Sequence, residues 1–490
     1  MTRTSLGRRT KSVEQSIEDT DEPETRLRKD LTWWDLIVFG VSVVIGAGIF
    51  TITASTAGGI TGPAISVSFV IAAVACGLAA LCYAEFASTV PVAGSAYTFS
   101  YASFGEVVAW IIGWDLVLEF AVGAATVAKS WSTYLGEVFG FAGGDVHIGA
   151  LDLDWGAVLI VGIVTTLLAL GTKLSSNVSA VITLIKVAVV LVVIVVGAFF
   201  IKMANYTPFI PPSKPGGGAG EQSLFSLLTG AGSSNYGWYG LLAGASIVFF
   251  AFIGFDVVAT TAEETKNPQR DVPRGIFGTL AIVTVLYVAV AVVLSGMVKY
   301  TELEKAGEDA NLATAFSLNG VDWAATLISV GALAGLTTVV MVLILGQIRV
   351  LFAMSRDRLL PHQLARTGSH GTPVRLTIIV GVVVAVAAAF FPITKLEEMV
   401  NVGTLFAFVL VSAGVIILRR SRPDLHRAFR TPLVPWLPIA AIVACVWLML
   451  NLTALTWIRF LVWMAIGMVV YFAYGRRHSA LAQRASAISA

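Results

Sequence analysis

Hydrophobic positions in this chain come in long runs, with neither the alternation of a half-buried strand nor the single stripe of a surface helix. Twelve runs stand out: Trp34–Ala57, Pro63–Phe86, Val107–Tyr134, Trp155–Leu170, Val178–Ile201, Tyr239–Thr261, Ile276–Val298, Trp323–Leu351, Leu376–Phe391, Leu396–Leu418, Val434–Leu452 and Trp457–Tyr474. About 20 apolar residues cross roughly 30 Å of hydrocarbon as a helix, so the pattern predicts an all-α membrane protein with 12 transmembrane helices. Trp33, Trp34, Trp110, Trp238, Tyr239, Trp323 and Trp457 lie near run ends, where interfacial anchors belong. The eighth run is about 43 Å long at helical rise, so it has to tilt or protrude.

Two runs depart from a uniform lipid-facing helix. The first carries Gly46-Ala47-Gly48 in mid-span, and the sixth carries Phe250-Ala251-Phe252-Ile253-Gly254-Phe255-Asp256. Both are candidate helix breaks. They hold the same ordinal place in two sets of five runs, the spacing expected of an inverted repeat whose discontinuous helices meet at the midplane. The predicted organisation is a disordered cytoplasmic tail over 1–31, a first repeat over 32–201, an extracellular loop over 202–238, a second repeat over 239–418, two further helices over 419–475 and a cytoplasmic tail over 476–490.

Composition agrees with lipid as the solvent: 57% of the 490 residues are hydrophobic and 13% charged, against roughly 25% charged in a soluble domain. The first 31 residues lack the apolar core and cleavage site of a signal peptide. With 12 spans both termini share a side, and 24 lysines and arginines fall on that side against 6 in the opposite loops. Positive charge marks the cytoplasm, so both termini are expected there, in a cell (inner) membrane. The net charge of +2 reflects this distribution and gives no hint of nucleic-acid binding. The three cysteines lie in apolar runs and the five histidines in connecting segments. No metal site and no paired catalytic residues are therefore expected in the bundle, which disfavours an enzyme.

Candidate chemistry lies in the spans. Glycine in a membrane helix commonly serves close packing, the reading given to Gly331-x-x-x-Gly335, but an unwound Gly46-Ala47-Gly48 would offer bare amides at a positive half-helix end to a carboxylate. Freed carbonyls of Phe250, Ala251 and Ile253 could accept from an ammonium, since unwound backbone in a membrane has to line a cavity or be satisfied otherwise. The two ends together suit a zwitterion. Lys186 stands nine residues into the fifth run, roughly 12 Å deep. It either snorkels to the interface or, buried, gains and loses a proton during a cycle. Asp115 and Glu119 share a face of the third helix. Glu119 is the better placed to exchange protons or pair with Lys186, whereas Asp115, nearer the end, reads as an interfacial charge rather than a coupling group, with lining the cavity as a further candidate role. Lys129 reads as a snorkelling or gate-lining charge and Glu85 as helix-end packing. Thr337 and Thr338 either bond back to their own helix or line the cavity beside Lys186.

The stretches Gly40–Phe50 and Phe249–Asp256, the loop Glu263–Ile276 and the segment Gln347–Asp357 together resemble the amino acid–polyamine–organocation permeases, in particular their cationic amino acid transporter branch. The resemblance runs from about Trp33 to Tyr474. It implies a LeuT-like fold of two inverted five-helix repeats plus two accessory helices. It also implies a substrate carboxylate at the backbone of Gly46, Ala47 and Gly48, an ammonium at the carbonyls of Phe250, Ala251 and Ile253, and Phe250 as a gate. Lys186 would stand where sodium-coupled relatives hold a cation, so that protons are the coupling ion, no sodium site is expected and no cofactor is needed. Ile45, Phe250, Phe252 and Leu336 imply an apolar pocket without an obvious carboxylate, which favours small neutral L-amino acids. An exchanger, a cationic amino acid transporter and a non-transporting sensor are the competing readings. Expected partners are an amino acid, the bilayer and, left open, a small single-span membrane subunit; the oligomeric state is not legible.

Overall fold

The computed structural model describes residues 30–480 apart from 90–95, 98–99, 102–103, 141–144, 149–150, 172–175, 215–219, 233 and 367–371. The tail expected at 1–31 lies outside the described residues up to 29, and the second tail lies outside them from 481. Twelve apolar helices carry the architecture: α1 (Trp33–Val44), α2 (Ile65–Thr89), α3 (Glu106–Phe139), α4 (Trp155–Ala169), α5 (Ser176–Ala198), α6 (Gly237–Val248), α7 (Pro268–Met297), α8 (Asp322–Arg356), α9 (Val374–Phe390), α10 (Ile393–Ser421), α11 (Trp436–Leu450) and α12 (Ala454–Val470). Among the described residues, eight helical stretches are long and apolar enough to cross a membrane, while α1, α4, α9 and α11 are shorter apolar helices. The chain is a helical, multi-pass membrane protein. A two-stranded antiparallel hairpin, β1 (Asp145–Ile148) with β2 (Leu151–Asp154), joins α3 to α4; it is a small exception to the all-α expectation.

Local chemistry sets the helix ends. Asp154 caps α4 by accepting from the Ala157 amide at 3.0 Å, leaving one fewer orphan donor in the first turn. Gly140 ends α3 in the left-handed region at φ 72°, where a Cβ would be strained. α7 begins at Pro268, eight residues before the apolar run that predicted it, because proline suits the first helical position. Leu31, read as part of the tail, instead pairs with the α6–α7 connection: its amide donates to Glu264 and its carbonyl accepts from Lys266.

The packing has an internal pattern. α3 lies against α8, α2 against α7 and α4 against α9; α1 packs on α7 as α6 packs on α2, and α5 on α8 as α10 on α3. When helix numbers 1–5 are raised by five and 6–10 lowered by five, the first three pairings map onto themselves and the other four interchange in pairs. The α5–α8 contact depends on small residues, because Val189 and the Lys186 stem lie over Gly331 and Gly335, where a Cβ would collide with them. That is the close packing expected of the glycine pair, and it also makes room for a lysine.

Candidate substrate site

α1 ends at Val44. Ile45 leaves the helix at φ −71°, ψ 94°, and from Gly48 the chain resumes as a wide π-helical turn. The Gly46 and Ala47 amides donate to no backbone carbonyl among the described residues. Side chains from other helices hold carbonyls on both sides of the break. Ser42 accepts from Lys186 Nζ at 2.5 Å, Val44 from the Tyr287 hydroxyl at 2.7 Å and Phe50 from the Tyr134 hydroxyl at 2.6 Å.

α6 breaks too. After a tight turn over Phe249–Phe252, Ile253 is extended at φ −61°, ψ 137°, and Gly254 sits at φ 113°, a conformation open to glycine. Asp256 Oδ1 accepts from the Gly254 amide at 3.3 Å. The Phe250 carbonyl, expected to be free, accepts from the Ile253 amide at 3.2 Å, whereas the carbonyls of Ala251 and Ile253 take no backbone bond. The two breaks touch. A Cβ on Gly48 would overlap the Ala251 backbone, and one on Gly254 would come within 2.8 Å of Val43 Cγ1.

Between the breaks lies a cavity of about 20 Å³, lined by Gly46, Ala47, Gly48, Phe250, Ile253 and Glu119. That is room for roughly one water, so an amino acid enters only after its walls move. Val339, Leu343 and Val400 make the apolar side. Four expected lining residues are elsewhere. Ile45 and Leu336 are buried outside the cavity, Ala251 presses on Gly48, and Phe252 packs edge-on against Phe69 and Tyr287 because the turn points it away. Conversely, Glu119 puts a carboxylate in a wall expected to have none.

The ionisable candidates separate. Lys186 is fully buried and does not snorkel, since its ammonium is held by the Ser42 carbonyl. The expected Glu119–Lys186 pair does not form, because Glu119 faces the cavity and Lys186 the α1 backbone. Asp115 is fully buried rather than interfacial, and it lies outside the cavity with both oxygens unpartnered. Thr337 and Thr338 do not line the cavity. Each donates to its own helix, to Leu333 at 2.8 Å and Gly335 at 2.7 Å, and Thr337 also accepts from Trp131 Nε1 at 3.0 Å. Lys129 pairs with Asp154 at 3.2 Å rather than reaching headgroups. Glu85 closes the end of α2 on Arg419, at 2.8 and 2.6 Å, and on the Thr431 amide at 2.7 Å.

Sequence reasoning missed Tyr287, Tyr134 and Asn401. Each is a polar group inside an apolar run, which was the available signal. Asn401 Nδ2 donates to Ser246 and Ile247 at 2.9 and 3.2 Å, just ahead of the α6 break.

A family model described as amino acid permease matches residues 31–473. The chain belongs to the amino acid permease family. Among its relatives, a branched-chain amino acid permease of Bacillus subtilis (strain 168) is 42% identical over 97% of this chain and 99% of its own. A methylthioribose transporter of the same organism is 41% identical over 93% and 95%. The vacuolar cationic amino acid transporter 4 of Arabidopsis thaliana is 38% identical over 81% of this chain and 64% of its own. The paired breaks leave amides bare on one and carbonyls free on the other.

Proposed function

We propose that this permease takes up small neutral L-amino acids together with protons, by alternating access around the two breaks, with protons as the coupling ion and no need for sodium. The observation that carries the reading is the pairing of bare Gly46 and Ala47 amides with the free Ile253 carbonyl across one small cavity, the free Ala251 carbonyl belonging to the same turn of the α6 break. A carboxylate is stabilised by the first set and an ammonium by the second. The fold we assign is two inverted five-helix repeats with α11 and α12 as additions. Its support is the packing pattern that repeats on a shift of five: an odd number of crossings turns the second set upside down relative to the first. Both termini are placed in the cytoplasm of a cell membrane by the lysine and arginine distribution.

A second reading is a carrier of cationic amino acids. Glu119 in the cavity wall favours it, as it could meet a basic side chain, and cationic transporters stand among the relatives. Proteoliposomes of the purified chain, given labelled alanine, leucine or arginine with and without an inward proton gradient, decide between them. Uphill alanine or leucine uptake that follows the gradient in sodium-free buffer supports the first reading; arginine alone supports the second. Uptake that needs preloaded amino acid and ignores the gradient replaces symport by exchange, and binding without flux indicates a sensor.

A further inference from the structure

Asp115 is unusual among the buried acids. Glu85 is satisfied by Arg419 and the Thr431 amide, Glu398 by the hydroxyls of Thr453 and Thr456, and Asp154 by Lys129, Ser132 and the Ala157 amide. Asp115 has none of this: it is fully buried, and neither carboxylate oxygen has a hydrogen-bond partner. An ionised carboxylate without a donor or cation is expensive in a low-dielectric interior. A structural role would have come with partners.

Its surroundings hold further unused polar atoms. Asp115 Oδ1 lies 3.0 Å from where a Cβ of Gly403 on α10 would sit, so glycine there keeps space open beside the acid. Next along α10, the Thr404 hydroxyl faces Glu119. On α8, Gln347 donates to the Val117 carbonyl at 3.4 Å, but its Oε1 is unpartnered. One turn along α3 stands Glu119, in the cavity wall, about 6 Å away along the axis. One water spans such a gap. Toward the start of α3, Tyr97 packs over Gly113 and donates to the half-exposed Asp357 at 2.7 Å.

We propose that Asp115 is the proton station between the cavity and the face of the protein at the start of α3. Glu119 as the neutral acid passes its proton through a water to the Asp115 carboxylate, leaving Glu119 ionised, and Asp115 gives the proton to water that reaches it once the start of α3 opens to that face. Net, one proton moves and no bond between heavy atoms changes. The titratable groups facing this route are Glu119 and, across it, Asp256 of the α6 break. α10 presents Gly403 and Thr404 and α8 presents Gln347, so no cation among the described residues holds the proton back. The inference rests on the proton-coupled reading above and adds a residue outside the cavity to it.

The test uses proteoliposomes of the full chain with labelled leucine, or labelled arginine where leucine is not carried, and an internal pH dye. Two quantities are read: counterflow exchange, which needs no net proton movement, and gradient-driven accumulation with substrate-coupled acidification. Asp115→Asn is expected to keep counterflow within about twofold and to lose at least about tenfold in accumulation and acidification, with recovery in Asp115→Glu. Accumulation unchanged in Asp115→Asn overturns the station, as does a parallel fall of both quantities in the Asn and Glu variants, which marks packing alone. Wild-type protein that exchanges but never acidifies the lumen removes proton coupling itself, and the station with it, a result distinct from the other two.

Discussion

The break in α1 is held open from outside and the break in α6 largely from within. In α1, an amine from α5 and a phenol from α7 each take a carbonyl that a continuous helix would have bonded to its own amides, and a phenol from α3 holds the Phe50 carbonyl just beyond the break. In α6, Asp256 folds back on the Gly254 amide two residues before it, and Asn401 supports the carbonyls of the preceding turn from outside. A break fastened to three helices can move only with them. One that closes on itself can turn as a unit, and it carries Phe250, which lines the cavity.

This contrast can be broken by substitution. The largest effect is expected where the two breaks touch: Gly48→Val drives a branched side chain into the Ala251 backbone, and uptake into proteoliposomes should fall by on the order of 100-fold. Lys186→Met keeps the stem over Gly335 but removes the donor to Ser42. Gradient-driven accumulation should drop by about tenfold or more, since a buried carbonyl loses its partner and the amine is gone; accumulation at the wild-type level would exclude Lys186 from coupling. Tyr287→Phe leaves the Val44 carbonyl bare at a cost of about 1–3 kcal/mol, which should lower transport by roughly five- to tenfold and reduce the melting temperature in detergent.

On the α6 side the effects should be smaller. Asp256→Asn keeps an oxygen for the Gly254 amide, so uptake at neutral pH should change by less than about threefold. Smallest of all is Gly46→Ala, whose Cβ would meet Val339 at an ordinary 3.5 Å and should leave uptake within about twofold. Should Asp256→Asn prove more damaging than Tyr287→Phe, the assignment of the externally held break to α1 and the self-held one to α6 is reversed.

Much of the site was legible before any coordinates. Gly46-Ala47-Gly48 and the Phe250–Asp256 stretch mark their own breaks, because paired glycines in the one, and a glycine followed by an acid in the other, weaken a helix inside an apolar run. A lysine in mid-span likewise marks itself, since lipid does not tolerate it without a purpose. Which way side chains point was not legible. Phe252 and Phe250 are two residues apart in one short turn, yet one packs on Phe69 and Tyr287 and the other faces the cavity. Thr337 and Thr338 are neighbours with hydroxyls in every way suited to a cavity, and both spend them on their own helix.

By itself the sequence determined the solvent, the number and spacing of apolar helices, the location of both interruptions and the presence of buried charge, because these follow from hydropathy, backbone propensity and the cost of ions in hydrocarbon. Tertiary structure alone decided which charges are satisfied. Lys186 meets a backbone carbonyl rather than Glu119, Lys129 meets Asp154, and Asp115 has no hydrogen-bond partner among the described residues. Partnership inside a low-dielectric bundle depends on contacts between helices far apart in the chain and closer than about 4 Å in space, and no local pattern of residues encodes that distance.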